Sequence, residues 1–299
     1  MSYPFSRLSS PVVAHALCPF LTTPDLVRFF NTSKFGAREQ LDPIREIVER
    51  LLFSRIPIFG KDYYQGVWGV AITDQFEPKK IDIRLLRTFL ETYYGPNPVD
   101  PTQGVKNTCL IPTVIPERVM VEGRGFDYNL NLLGDIASHP GIGNAARYAY
   151  DTPALQQHGE TSPEQAYLEI VLVGVVGRNE SWKHQVVRLQ TLNNDTQYGC
   201  ETEPDALGIA TAALAEHAVR GNRPFGDSTG MEGQWTYSRT IELVHMGQNA
   251  YRAVVGAFSA GPIGPGGAAP AELGVDFDDF DYESYGVAVQ RKFRPLGLG

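Results

Sequence analysis

The chain has 299 residues, a formal net charge of −8, and 42% hydrophobic against 20% charged residues. That is the balance of a soluble globular protein, long enough for one large domain or one domain with a small module. The acidic excess, with no basic stripe and no basic amphipathic helix, excludes nucleic acid and anionic membrane as favoured partners, because both are held by clustered Lys and Arg.

The three cysteines, Cys18, Cys109 and Cys200, are too few and too widely spaced for a disulfide framework or a CxxC metal site. No cofactor or metal is expected, and a reducing cytoplasm suits the chain. The first residues lack a basic region followed by an apolar run, so no secretory signal peptide is expected. The most apolar stretch, residues 168–176, is interrupted by Glu169 and is too short to span a bilayer.

In chain order the first segment reads as helices. Pro11 starts one, with Val12, Val13, Ala16 and Leu17 as its apolar face, and Cys18-Pro19 interrupts it. Thr23-Pro24-Asp25 supplies an N-cap, a proline at the first helical position and an acid in the first turn. Leu26, Val27, Phe29 and Phe30 follow as that helix's apolar side. Further helices are expected over 35–41 and 43–53.

The middle is mixed. A short strand is expected over 66–72, a helix over 81–94, a proline-rich loop over 95–104, a strand over 109–115 and a helix over 128–138. Residues 167–173 read as a buried strand. Residues 204–219 form a helix with Leu207, Ala210, Leu214 and Ala218 on one face and Gly221 as its stop. The tail is rich in aromatic and β-branched residues bounded by glycines. It predicts strands over 235–244, 251–258 and 285–293, joined as an antiparallel meander. A Gly/Pro loop at 261–267 and an acidic run at 276–283 lie between the last two.

The segment Leu8-Ser-Ser-Pro11-Val-Val-Ala-His-Ala-Leu17-Cys-Pro-Phe-Leu21-Thr-Thr-Pro-Asp25-Leu26-Val-Arg-Phe29-Phe-Asn-Thr-Ser33-Lys34 resembles an F-box. In that motif a Leu-Pro opening and an apolar helix precede Asp-Leu and a Ser-Lys ending. Here Leu8 and Pro11 are separated by two serines, and Phe35 stands where a tryptophan often follows. The resemblance implies docking on the Skp1 adaptor of a cullin ubiquitin ligase, with Pro11, Val12, Leu17, Leu21, Leu26 and Phe29 facing that partner. So short a motif cannot bury its apolar face alone.

Further pieces extend along the chain: Phe59-Gly60-Lys61, Leu110-Ile111-Pro112-Thr113-Val114, Leu130-Asn131-Leu132-Leu133, Gly143-Asn144, His158-Gly159, Gly177-Arg178-Asn179, Trp235-Thr236-Tyr237-Ser238-Arg239, Val255-Gly256-Ala257-Phe258 and residues 285–293. In that order they resemble a family of uncharacterised proteins of chlamydia-related bacteria, many with an F-box-like N-terminus. That resemblance implies a host-directed adaptor, acting in the host cytoplasm without a cleavable signal peptide.

Several motifs carry a chemical and a plainer reading. Gly141-Ile142-Gly143-Asn144-Ala145-Ala146 fits GxGxxA, but a dinucleotide loop needs a strand before it and a helix after. Cys109 or Cys200 with His158 or His184, and Asn179 or Asp195, supply the residue types of a thiol hydrolase. His158 sits before a capping-type Thr161-Ser162-Pro163-Glu164, as a helix-entrance residue or as a cap on a helix end. Arg178 and Asn179 follow a buried strand, where polar residues line ligand sites or stabilise a turn. Trp235, Tyr237 and Arg239 alternate on one strand face, as a cation–π surface for a peptide or as sheet packing. The acids at 276–283 lack the glycine of a calcium loop and read as a solvated stretch.

The sequence therefore predicts an α+β chain: an F-box-like helical module over 1–45, a connecting helix and mixed segment over 46–105, and a larger α+β domain over 106–299 ending in the β-meander. Its expected function is that of a non-catalytic adaptor joining a Skp1-like protein to a target protein. The competing expectation is a self-contained enzyme, for example a thiol hydrolase, whose N-terminal helices are only structural.

Overall fold

A computed structural model describes residues 58–72, 112–196, 199–226, 236–261, 263–264, 267–278 and 285–294. Pro11, Val12, Leu17, Leu21, Leu26, Phe29, Cys18, Cys109 and Trp235 lie outside them. So do the helices expected before residue 54 and over 81–94, and the acids beyond Asp278.

The described chain is a mixed α+β structure. It opens with a helical hook, Lys61–Tyr63 running into a π-helical turn, Tyr64–Trp68. Strands β1 (Ala71–Ile72), β3 (Arg118–Val121) and β4 (Arg124–Asp127) make a small antiparallel sheet. The large sheet has seven strands in the order β2 (Thr113–Ile115), β6 (Tyr167–Val176), β12 (Tyr285–Phe293), β7 (Tyr237–Met246), β8 (Asn249–Ser259), β11 (Ala271–Phe277), β5 (Ala146–Tyr148). A two-residue pair, β9 (Ile263–Gly264) and β10 (Gly267–Ala268), decorates the connection from β8 to β11. The helices are α1 (Leu130–Ser138), α2 (Pro153–His158), α3 (Trp182–Thr196) and α4 (Ala206–Arg220).

Helix α4 organises the core. Every residue from Ala206 to Ala218 is buried. Its Ala and Gly content lets neighbours approach on all sides, the pattern of a helix with no solvent face. It touches β2, β5, β6, β7, β8 and β11 of the large sheet, and α1 as well. Asp205 caps its start by accepting from the Gly208 amide at 2.8 Å, and Gly221 ends it at φ 73°. On β12, helix α3 builds a separate small core in which Leu189 and Cys200 meet Val287 and Val289.

Expected and observed elements agree at residues 128–138, 167–173, 204–219, 235–244, 251–258 and 285–293, with ends shifted by a few residues, and the differences have local reasons. The strand expected over 66–72 is only Ala71–Ile72. Before it, Tyr64 and Trp68 pack edge-on against Phe59, with ring centroids 5.0 and 4.5 Å away, and this contact holds the chain in the helical turn until Gly69 at φ 70° releases it. The expected strand at 109–115 is described at Thr113–Ile115.

The meander is corrected in its last step. β7, β8 and β11 are antiparallel neighbours. β12, however, returns to the middle of the sheet, antiparallel to β6 and parallel to β7 through Tyr285 and Gly286. Burial along nearly all of β12 explains this: a strand covered on both faces belongs in the centre, not at an edge.

Candidate functional site

The densest polar arrangement gathers at the start of α4. Three strands deliver it: β6 brings Tyr167 and Glu169, β12 brings Gln290 and Lys292, and β7 brings Glu242. Lys292 stands opposite Glu169 in register, so both point at the helix.

Gln290 ties the cluster together. Its Oε1 accepts from the Asp205 amide at 3.1 Å, while its Nε2 donates to Glu169 Oε2 at 2.7 Å and to Asp205 Oδ2 at 3.1 Å. Lys292 Nζ lies 2.5 Å from Asp205 Oδ2 and 5.1 Å from the centre of the Tyr167 ring. The Ala206 amide donates to both Glu242 oxygens at 3.2 Å, so two acids sit at the positive end of the helix.

Burial, with Asp205 beside it, pushes the Glu169 carboxyl well above the usual range, and Glu242 is raised for the same two reasons. Burial alone would lower Lys292, but Asp205 outweighs it and the ammonium is held above its ordinary value. A β-carbon at Gly208 would lie 2.0 Å from Glu169 Oε2, so glycine is what lets the helix come this close. Behind Glu169 runs a buried hydroxyl chain. Tyr64 donates to the Val114 carbonyl at 2.9 Å and lies 3.2 Å from the Tyr128 hydroxyl, which is 3.1 Å from Thr211 Oγ1.

A cavity of about 310 Å³ opens over this cluster, lined among others by Tyr167, Asp205, Glu242, Lys292, His158 and Arg294. His158, singled out from the sequence, thus reaches the cavity. Its ring Nε2 donates to the Leu243 carbonyl at 2.9 Å, and the neighbouring Gln157 donates to the His245 carbonyl at 3.0 Å and accepts from the His245 amide at 2.8 Å. Beyond Ser238 strand β7 has no pairing with β12, and these two side chains supply part of what a missing strand would. His158 ends α2 and contacts β7, so it is neither a helix entrance nor a helix cap.

No family model, curated protein or solved structure matches the chain.

The other singled-out residues are dispersed. Arg178 and Asn179 occupy the turn after β6, with Gly177 at φ 65° and Asn179 at φ 60°. Asn179 is exposed, while Nε and Nη2 of Arg178 are buried without a hydrogen-bond partner. Tyr237 packs edge-on against Tyr285 at 5.2 Å. Arg239 is buried, 2.6 Å from Asp278 Oδ2 and 2.6 Å from the Glu180 carbonyl, and it lies 5.5 Å from the centre of the same Tyr285 ring. Tyr237 and Arg239 do share a face, but it is directed into the protein.

Cys200 is buried, and desolvation pushes its thiol up to about 11, while His184 is on the surface, hydrogen-bonded to Ser181. The GxGxxA segment follows helix α1 and enters strand β5, the reverse of a dinucleotide loop. Among the described residues no group of His, Cys, Asp and Glu is arranged to hold a metal ion, and no helix is long and apolar enough to cross a membrane.

Sequence reasoning passed over Gln290, Asp205, Glu242 and Lys292. Glu169 left a trace, an acid inside an otherwise apolar strand, and an acid almost never buries without partners.

Proposed function

We propose that the chain is a cytoplasmic adaptor of a ubiquitin ligase, acting in a host cell. Residues 8–34 dock on a Skp1-like protein, and the α+β body engages a target protein. The observation that carries this reading is the residue order at 8–34, in which Leu17 and Leu21 precede Thr23-Pro24-Asp25 and Leu26, Phe29 and Phe30 follow it at helical spacing.

The body supports a binding role over catalysis. Three of the reactive-looking groups marked in its sequence have structural surroundings: Arg239 pairs with Asp278, His158 bonds the Leu243 carbonyl, and Cys200 lies inside an apolar cluster as the neutral thiol. The cavity beside His158 is rimmed by charges of both signs, including Glu164 and Arg294, a surface suited to a polar segment of a partner.

The test is a binding titration of the full chain with purified Skp1. The wild type binds, and Leu26→Asp weakens binding by several kcal/mol, on the order of a lost hot spot. Absent wild-type binding, or unchanged binding by Leu26→Asp with its folding intact, overturns the adaptor reading.

A further inference from the structure

Glu169 has none of its surface exposed. Oε2 receives one amide hydrogen from Gln290, and Oε1 has no hydrogen-bond partner. An ionised carboxylate out of water needs several donors or a cation of its own. The groups facing Glu169 supply neither. Tyr167 on β6, Tyr64 on the hook and Tyr128 before α1 are neutral. Asp205 at the head of α4 and Glu201 after α3 are acids, and Glu242 on β7 adds a third beyond Asp205. Lys292 on β12, opposite Glu169 in register, favours the charged form of Glu169 but is bonded to Asp205 at 2.5 Å, so burial and the neighbouring acids outweigh it. Gly208 closes the remaining side, with no room even for a methyl group.

We propose that Glu169 is held as the neutral acid in the folded chain at neutral pH. Its ionisation unseats the clasp of Gln290, Asp205 and Lys292 at the start of α4, so the cavity above that clasp loosens as pH rises. A charge on Glu169 would repel Asp205 and compete for Lys292. Asp205 also caps the helix through the Gly208 amide, so movement of this carboxylate frees the first turn.

The sign follows from linkage. The closed state keeps the proton, while an opened state releases it at the ordinary glutamate value of about 4.3. Each pH unit between that value and the raised one therefore weakens the closed state about tenfold, and the loss levels off above the raised value. Glu242 acts with the same sign, so the difference made by changing Glu169 alone is the informative quantity.

The experiment is amide hydrogen exchange of the full chain across neutral and mildly alkaline pH, corrected for the intrinsic effect of pH. It follows the peptide spanning residues 205–212. In the wild type its protection falls more steeply with pH than in Glu169→Gln, by one proton. Equal slopes overturn the proposal.

Infrared absorption of the protonated carboxyl gives a second readout. The wild type at neutral pH shows a buried carboxyl band that persists in Glu242→Gln and is lost in Glu169→Gln. Should Glu169→Gln fail to fold, Glu242→Gln still decides: disappearance of the band in that variant overturns the proposal, and its persistence supports it.

Discussion

Replacing Gly208 with Ala poses a test in which two effects oppose each other. In the interior of a helix, Gly→Ala ordinarily stabilises by about 1 kcal/mol, because glycine loses the most backbone freedom on folding. At Gly208 the added carbon would lie 2.0 Å from Glu169 Oε2 and 2.5 Å from Gln290 Nε2. Both atoms are tips of long side chains, which on a surface would swing aside. Here Gln290 is pinned at both ends of its amide, and Glu169 is enclosed.

Making room therefore breaks the Gln290–Glu169 bond at a cost of about 1–3 kcal/mol. It also overpacks the site, for a further cost of about 1–3 kcal/mol. The expected net effect is a destabilisation of about 3 kcal/mol, read as a lower urea midpoint for the purified chain. In a Glu169→Ala background the obstructing carboxylate is gone, and the same change should be neutral or stabilise by up to about 1 kcal/mol. The coupling between the two substitutions is thus about 3–4 kcal/mol. If Gly208→Ala raises the midpoint equally in both backgrounds, the clasp is not the constraint described.

Arg239→Ala should destabilise the chain by about 3–5 kcal/mol in the same assay, because it strips a nearly buried cation from Asp278 and leaves that acid with the Arg252 amide. A cost under about 1 kcal/mol, typical of an exposed pair, would contradict the buried arrangement. At neutral pH a thiol raised to about 11 is ionised in about one part in ten thousand, so the peptide bearing Cys200 should alkylate at least two orders of magnitude more slowly in the folded than in the unfolded chain. Comparable rates would refute its burial.

The sequence is most legible where local signals coincide. For α4 the apolar spacing, Pro204 near the start and Gly221 at the end mark one span, and the helix runs from Ala206 to Arg220. For β6 the apolar stretch around Ile170, Val171 and Val173, rich in β-branched residues, suffices despite Glu169. Helix α3 escaped notice because its sequence is rich in Gln, Asn and Thr, and among its described side chains only Gln185 and Leu189 are fully buried.

Strand β11 was hidden for another reason. Ala271, Leu273 and Val275 alternate inward, but they lie between a Gly/Pro stretch and acids that signal a loop. The position of β12 was not legible at all, since its partner residues in β6 lie more than a hundred positions earlier and no local pattern encodes that pairing. The site shares this limit. Gln290 is 121 residues from Glu169 and 85 from Asp205, so the acid was visible as an oddity while the amide that explains it was not.

The two ends of α4 narrow where the proposed adaptor body would recognise a partner. A helix buried on all sides cannot hand its terminal amides and carbonyls to water, so the chain must satisfy them itself. At the C-terminal end Asn144, from the GxGxxA segment, donates its backbone amide to the Ala218 carbonyl and its side-chain amide to the His217 carbonyl, both at 3.1 Å. Gly143 at φ 98° is required there, because a β-carbon would lie 2.3 Å from the Ala218 oxygen. At the N-terminal end Asp205, Glu242, Gln290 and Lys292 do the equivalent work. These groups line or underlie the cavity, yet each is already committed to holding the helix. A bound partner that took their bonds would pull apart the core. Under the adaptor proposal, recognition at this cavity would therefore fall to the rim: Thr161, Ser162, Glu164 and Gln165 on the segment between α2 and β6, and Arg294 beyond β12. If the body reads its target here, substitutions along that rim should change the choice of target while leaving stability intact, whereas changes at Asp205 or Gln290 should cost stability first.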